Sequence, residues 1–175
     1  GFKVTYIDVN SDGFINLDQL KESLTSETIF VSVMMANNEI GTIQPIKEIT
    51  KIVKEYNKSI IVHTDAVQAL GNIPINVLDL GVDLLTITAH KIYGPKGTGA
   101  LYIKKGIVID NLIHGGGQEK GKRAGTENVI GIVGFGKACE LAVENLESKS
   151  KDLLELREHL FTRVTNEISD IVVNG

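Results

Sequence analysis

Short apolar runs alternate with helical segments along most of this 175-residue chain, and this alternation constrains the fold more than any other feature. The apolar runs are rich in β-branched residues and predict strands over residues 4–9, 29–35, 60–64, 83–89 and 99–104. Helices are predicted over 17–25 and from Pro45 onward, where the missing proline N–H costs nothing. Strands that alternate with helices predict an α/β chain with a mostly parallel sheet flanked by helices.

The last third of the chain has a different pattern. From about residue 127 to 170, apolar residues recur at helical spacing among charged ones, which predicts a helical segment. Residues 148–150, with the sequence Ser-Lys-Ser, indicate a break or bend within it. The segment 171–175, which begins with three β-branched residues, predicts one more short strand at the end of the chain.

A lysine, Lys91, closely follows the predicted strand 83–89. It is therefore expected at the carboxyl end of a strand, the edge at which open α/β sheets bind ligands. Among apolar neighbours, desolvation would favour the neutral amine, which can form a Schiff base with an aldehyde cofactor. The alternative is an ordinary surface lysine at a strand end, and Lys91 alone does not decide between the two.

An aspartate, Asp65, follows the predicted strand 60–64 in the same way. A carboxylate at that edge can pair with a protonated pyridine nitrogen and so keep the ring an electron sink. A lysine for the Schiff base and an acid for the pyridinium are the protein's share of pyridoxal phosphate chemistry. Asp65 could instead cap a following helical turn, but the two strand ends together favour the cofactor interpretation.

Several motifs occur in one order along the chain, at residues 34–41 (MMANNEIG), 62–68 (VHTDAVQ), 89–97 (AHKIYGPKG), 115–119 (GGGQE) and 123–128 (RAGTEN). Together they resemble the NifS/IscS-type cysteine desulfurases of the class V aminotransferase group, over nearly the whole chain. The resemblance implies the large domain of a fold type I transferase that depends on pyridoxal 5′-phosphate. It also implies that residues 1–175 are a fragment of that domain, with the helical segment 127–170 leading toward a truncated C-terminal small domain.

The resemblance implies roles for four residues around the cofactor ring. Lys91 resembles the lysine that holds the cofactor and then moves protons on the substrate. Asp65 resembles the partner of the pyridine nitrogen, and Gln68 the hydrogen-bond donor to the ring's phenolate oxygen. Asn38 resembles the asparagine beside that oxygen and the substrate carboxylate. Taken singly, Gln68 could equally be a solvent-facing helix residue, and Asn38 a plain turn residue.

Four further residues resemble the phosphate end of the family's site and its rim. Thr88 and His90 fall where the family has phosphate ligands, and many members carry serine at the position of Thr88. A hydroxyl and an imidazole are chemically suited to a phosphate, although His90 could be a satisfied strand-end histidine. Thr126 resembles the threonine that crosses a homodimer interface to the partner subunit's phosphate. Arg123, on the same loop, is expected at the rim of the active site.

The activity that the resemblance implies is removal of sulfur from L-cysteine, leaving alanine and a persulfide for a sulfur-acceptor scaffold protein of iron–sulfur or thiolation pathways. The family's nucleophilic cysteine lies downstream of the region matched here. The single cysteine of the chain, Cys139, falls near an apolar helical stripe with Val129, Ile132, Val143 and Leu146, which predicts a buried packing residue. Selenocysteine lyase and a catalytically silent binding or scaffold domain are the alternatives.

Composition narrows the remaining classes of function. A net charge of −4 and a pI near 5.6 argue against a nucleic-acid-binding surface. No apolar run approaches the roughly 20 residues that span a bilayer, and one cysteine suits a reducing compartment. We therefore expect a cytoplasmic location, with an organellar matrix as the alternative. No metal site is expected, because Gln19 replaces the essential acid of the calcium-loop-like segment 8–19.

Overall fold

A four-stranded sheet forms the centre of the computed structural model, which describes residues 1–174. Its strands lie in chain order: β1 (Phe30–Met34), β2 (Ile61–Asp65), β3 (Leu84–Thr88) and β4 (Gly99–Ile103). The first three strands are parallel, and β4 runs antiparallel to β3. The predicted α/β class with a mostly parallel sheet is confirmed.

Five α-helices accompany the sheet within the described residues: α1 (Leu17–Ser23), α2 (Ile46–Tyr56), α3 (Val77–Leu80), α4 (Val129–Glu144) and α5 (Leu146–Glu167). Asn16 caps α1, since its side chain accepts hydrogen bonds from the N–H groups of Asp18 and Gln19. Pro45 is the N-cap of α2, at the predicted place. None of the helices described is long and apolar enough to cross a membrane.

The main core lies between one face of the sheet and helices α1 and α2. Apolar residues at helical spacing on α2, Ile46, Ile49 and Val53, are buried against Val62 of β2 and Leu85 of β3. Along each strand, successive side chains point to opposite faces of the sheet. The alternate face, which carries Phe30, His63 and Leu101, is consequently more exposed, and Phe30 and Leu101 are among the exposed large apolar residues.

A smaller apolar cluster holds α4 against the segment that follows β3. Phe135 and Ala138 of α4 contact Ala89 and Ile92 there, and Cys139 is partly buried beside them. The expectation that Cys139 is a packing residue is therefore met. The rest of the predicted stripe differs: Val129, Ile132 and Val143 are exposed, because α4 is apolar on both faces and buries Gly131, Phe135 and Ala138.

A buried carboxylate ties the strands together at the end opposite to the predicted site. Asp83, 2% exposed, accepts a hydrogen bond from the backbone N–H of Val62 at 2.9 Å. Its side chain is paired with Lys54 of α2, and Lys104, just after β4, lies 3.4 Å away. Burial alone would raise the pKa of this carboxyl, but the hydrogen bonds and the two ammonium charges hold it below its usual 3.8.

Three sequence predictions of local structure were wrong. Residues 4–9 make only an isolated bridge, Val9 with Ile15, because no neighbouring strand lies beside them among residues 1–174. The helical break falls at Asn145 rather than at 148–150. Residues 171–174 form no strand, and Gly175, the last residue of that predicted strand, lies outside the described residues.

Candidate active site

Three parallel strands bring their carboxyl ends to one edge of the sheet, and most of the predicted site residues lie there. In the strand register Met34 of β1 is paired with Asp65 of β2, and Asp65 with Thr86 of β3. Lys91 follows β3 by three residues. The sheet topology therefore places the amine and the carboxylate on neighbouring strand ends, as the sequence predicted.

Asp65 is the last residue of β2, and its side chain is half-buried. Its Oδ1 accepts a hydrogen bond from the backbone N–H of Val67 at 2.9 Å. This bond fixes the carboxylate within the turn that follows the strand, and within residues 1–174 no hydrogen bond reaches Oδ2. Asp65 thus combines the expected capping role with an acceptor oxygen that remains available to a ligand.

Next to Asp65 on β2 lies His63, which was not predicted as a site residue. His63 Nδ1 is 2.8 Å from Ser32 Oγ, and His63 Nε2 is 2.8 Å from Thr86 Oγ1. The Phe30 ring is stacked on the imidazole, with centroids 6.0 Å apart and planes at 17°. Desolvation lowers the pKa of His63 below its usual 6.5, although the charge of Asp65 raises it in part. The signal was present in the sequence, since the strand period of two puts His63 and Asp65 on one face.

The predicted phosphate ligands Thr88, the last residue of β3, and His90, two residues later, lie side by side. Thr88 Oγ1 is 3.0 Å from His90 Nδ1, and it donates a longer hydrogen bond of 3.3 Å to the Thr98 carbonyl oxygen. His90 is exposed and begins a short 3-10 helix, His90–Ile92. A hydroxyl and an imidazole are thus adjacent at the surface of this edge, where they can reach an anion.

Lys91 lies on the same 3-10 helix, but its surroundings differ from those expected. The lysine is exposed, so this chain does not provide the apolar shell that the sequence suggested. Its neighbours fix the backbone instead: Ile92 is buried against α4, and Tyr93 ends the turn in a left-handed conformation with φ 65°. The backbone of Lys91 is anchored while its side chain projects toward solvent.

Asn38 and Gln68 lie in turns beyond β1 and β2. Asn37, not Asn38, organises the first turn, because its Oδ1 accepts hydrogen bonds from the N–H groups of Glu39 and Ile40 at 2.8 and 3.0 Å. Asn38 is exposed there, and Gln68 is half-buried in the turn after Asp65. Gln68 is not in a helix, so that alternative is wrong, whereas the turn location expected of Asn38 as an alternative is observed.

Thr126 and Arg123 lie on the long loop between β4 and α4. Thr126 is exposed. The Arg123 guanidinium donates hydrogen bonds to the carbonyl oxygens of Gly125 at 2.8 Å and Ala124 at 3.3 Å, and so braces its own loop. Within the described residues no hydrogen bond joins this loop to Asp65, Thr88 or His90. The hydrogen bonds of Arg123 to Ala124 and Gly125 thus stay within its own loop.

The residues at the strand ends fit pyridoxal phosphate by their chemistry. Asp65 has an acceptor oxygen without a hydrogen bond inside the described chain, which suits a cationic ring nitrogen. The pair formed by Thr88 and His90 offers hydroxyl and imidazole donors to a phosphate. Lys91 supplies an exposed primary amine on the next strand end. The set contains groups suited to the ring nitrogen, the phosphate and the aldehyde of the cofactor.

Comparison with protein families gives a match to the model described as Aminotransferase class-V over residues 1–174. The cysteine desulfurase IscS of Dictyoglomus turgidum is 57% identical over all 175 residues, and a cysteine desulfurase of a Nostoc species is 51% identical. This chain covers 44% and 43% of those two proteins, respectively. It therefore spans less than half the length of these curated relatives.

Solved structures agree with the sequence comparison. A protein described as NifS-like superposes with a TM-score of 0.92 at 50% identity, covering 95% of this chain and 46% of that one. DndA from Streptomyces lividans superposes with a TM-score of 0.88 at 30% identity, covering 99% and 49%. The predicted resemblance to NifS/IscS-type proteins and the fold type I architecture are confirmed, and this family depends on pyridoxal phosphate. The chain belongs to the class V aminotransferase family.

Proposed function

We propose that this chain is the cofactor-binding part of a pyridoxal phosphate-dependent cysteine desulfurase. The observation that carries the proposal is the placement of an amine, Lys91, and a carboxylate, Asp65, at the carboxyl ends of adjacent parallel strands. In the reaction, the carbon–sulfur bond of L-cysteine breaks and a protein thiol takes the sulfur. The products are L-alanine and a persulfide on that thiol, so atoms and electrons balance without an external oxidant.

Bound pyridoxal phosphate supplies an electron sink for this chemistry. Lys91 offers its Nζ to hold the cofactor covalently, and the same amine carries protons to and from the substrate carbon. Asp65 presents its carboxylate to the cofactor's ring nitrogen and keeps a proton there. The backbone N–H of Val67 holds that carboxylate in place, which fixes its orientation before any ligand arrives.

The remaining site residues are proposed to bind the cofactor and to orient the cofactor and the substrate. Thr88 and His90 donate to the phosphate, and Gln68 donates to the ring's phenolate oxygen. Asn38 lies beside that oxygen and the substrate carboxylate. Arg123 is proposed at the rim, a position that its bracing of residues 123–125 would stabilise.

The proposal extends to the assembly in which the chain works. Residues 1–175 would be a fragment of a large cofactor-binding domain, and the helical segment 127–170 would lead toward a C-terminal small domain. Thr126, exposed on its loop, is proposed to reach the phosphate of a partner subunit in a homodimer. The sulfur acceptor would be a scaffold protein of iron–sulfur or thiolation pathways, in the cytoplasm or an organellar matrix.

Cys139 is not proposed as the thiol that takes the sulfur. It is partly buried in the cluster under α4, and burial raises the pKa of its thiol above 9.0. A sulfur-accepting thiol needs the opposite, an accessible group with a substantial thiolate fraction. The nucleophile would be a cysteine of the longer protein, as the family resemblance implies.

The test is alanine and sulfide production from L-cysteine by the protein in its natural length, with dithiothreitol to release the persulfide sulfur. We expect Lys91→Arg to abolish alanine formation, because the guanidinium cannot form the covalent link. Lys96→Arg, at an exposed lysine of the next loop, is the matched control and should keep wild-type turnover. Alanine formation that survives Lys91→Arg would overturn the proposal.

A parallel assay on L-selenocysteine distinguishes the two related activities. A cysteine desulfurase should turn over both substrates through the same alanine product. Turnover of selenocysteine alone would identify a selenocysteine lyase. Absence of both activities in a protein of natural length would identify a silent binding domain.

A further inference from the structure

A row of polar side chains crosses three strands of the sheet next to Asp65. Ser32 of β1, His63 of β2 and Thr86 of β3 are joined by two contacts of 2.8 Å, one at each imidazole nitrogen. The stacked ring of Phe30 restricts the imidazole further. Both ring nitrogens therefore have hydroxyl partners. The two hydroxyl contacts and the stacked Phe30 ring together fix the orientation of the His63 imidazole.

The charges around His63 favour an uncharged imidazole. Its partners from β1 and β3 are hydroxyls, which carry no charge. Its other neighbours are apolar: the Phe30 ring stacks on the imidazole, and Leu84 is paired with His63 in the strand register. Asp65 is the ionisable group that acts on it among the described residues, and desolvation outweighs its effect on the pKa of His63. A neutral imidazole with two hydroxyl partners satisfies one donor and one acceptor position.

The position of His63 connects this row to the candidate site. His63 and Asp65 are two residues apart on β2, so both side chains lie on one face, about 7 Å apart along the strand. Thr86 is paired with Asp65 in the register and also contacts His63. A positive charge on His63 would compete with a cationic ligand for the carboxylate of Asp65.

We propose that His63 is a positioning residue for the cofactor ring: the row Ser32–His63–Thr86 holds an uncharged imidazole beside Asp65, so the carboxylate's charge remains available to a cationic ring nitrogen. This inference rests on the proposed function and adds a residue to its site. Because linkage is reciprocal, a cofactor that brings a cation to Asp65 must disfavour protonation of His63, and protonated His63 must bind the cofactor more weakly.

The first test follows the His63 imidazole by NMR with isotope-labelled histidine, in the protein with and without pyridoxal phosphate. The His63 signal is assigned as the one of four histidine signals that is missing in His63→Gln. We expect the pKa of His63 to fall when the cofactor binds. A pKa that is unchanged or rises on binding would overturn the inference, and this readout requires no catalysis.

The second test measures cofactor affinity by fluorescence as the pH falls below 6.5, because the pKa of His63 lies below this usual histidine value. Protonation of His63 should weaken binding by about three- to fivefold, the size of a screened like-charge interaction across a partly solvated face. His63→Gln should remove that part of the loss, whereas His159→Gln, on exposed α5, should keep the wild-type profile. Equal pH profiles for wild type and His63→Gln would contradict the inference.

Two outcomes separate the role of His63 from cofactor binding itself. Binding of pyridoxal phosphate through Lys91 without any response from His63 would overturn the inference alone. No binding at any pH would overturn the proposed function and the inference with it. If His63→Gln does not fold, the NMR titration of the wild-type protein, with assignment from Ser32→Ala and Thr86→Val shifts, still decides the outcome.

Discussion

Replacement of Asp83 by asparagine tests the buried ion cluster that joins β2, β3, β4 and α2. Asparagine is close to aspartate in shape and can still accept the hydrogen bond from Val62 N–H, which is 2.9 Å long. What it removes is the negative charge that faces Lys54 and Lys104. The substitution therefore isolates the electrostatic contribution of the cluster from its packing.

The magnitude follows from how deeply each partner is buried. Breaking a fully buried ion pair costs about 3–5 kcal/mol, because the remaining charge stays desolvated. Here the Lys54 side chain is 22% exposed and that of Lys104 is 49% exposed, so both ammonium groups can regain some water. We expect Asp83→Asn to lower the free energy of unfolding by about 2–3 kcal/mol. For a chain of this size that corresponds to a Tm lower by about 4–12 °C.

The matched control is Asp79→Asn at the surface pair of Asp79 with Lys47. That pair also joins an aspartate to a lysine of α2, but its side chains are 59% and 67% exposed. We expect a loss below about 1 kcal/mol for it. Urea unfolding followed by circular dichroism measures both variants. Equal losses in the two variants would refute the argument that burial sets the strength of the Asp83 cluster.

The pH dependence gives a second check on the same residue. Because the folded protein holds the pKa of Asp83 below 3.8, its ionised form stabilises the fold above that value. The contribution is lost as the pH falls through the lower pKa of the folded state. We expect the stability difference between wild type and Asp83→Asn to shrink below pH 3.8 and to be constant near neutrality. A difference that grows on acidification would contradict the assigned charge state.

Two further predictions concern the apolar cluster between α4 and the segment that follows β3. Gly71→Ala would place a Cβ 2.8 Å from Ile92 Cγ2 at φ 73°, so we expect a loss of about 2–3 kcal/mol in urea unfolding. The control is Gly41→Ala, at φ 78° with open space around it, which should lower the free energy of unfolding by only about 1 kcal/mol. Equal losses in the two variants would exclude the Ile92 contact as the cause. Cys139, partly buried and with a raised thiol pKa, should react with iodoacetamide at least about tenfold more slowly in native than in urea-unfolded protein. Equal rates would contradict its burial.

The sequence predicted the parts of the fold that local pattern determines. The four sheet strands were expected within one or two residues of their observed bounds, because each is a short β-branched run between turn residues. The edge that carries Asp65, Thr88 and Lys91 followed from the parallel order of the strands. The short helix α1 and the helix α2 after Pro45 were also predicted.

Features that depend on tertiary partners could not be predicted in the same way. Residues 4–9 have a strand pattern but make only the bridge at Val9, since a strand needs a neighbour to satisfy its backbone. The apolar faces of α4 are similar in composition, so its sequence did not indicate which face contacts Ile92. The exposure of Lys91 depends on what covers the strand edge, which is not encoded in the lysine's own neighbours.

The sequence predicted which residues belong to the candidate site. The contacts between their side chains are known only from the structure. His63 was overlooked because its interest lies in two partners, Ser32 and Thr86, on other strands. The bracing role of Arg123 was likewise invisible, since the carbonyl oxygens it contacts belong to its own loop conformation. Cross-strand register is the information that a single sequence lacks.

Borohydride reduction of the protein with bound pyridoxal phosphate, followed by intact mass measurement and peptide mapping, determines which lysine holds the cofactor. We expect one adduct, on Lys91, that disappears in Lys91→Arg and persists in Lys96→Arg. Labelling spread over the exposed lysines, or an adduct at a lysine other than Lys91, would contradict the assignment of the strand end after β3 as the cofactor site.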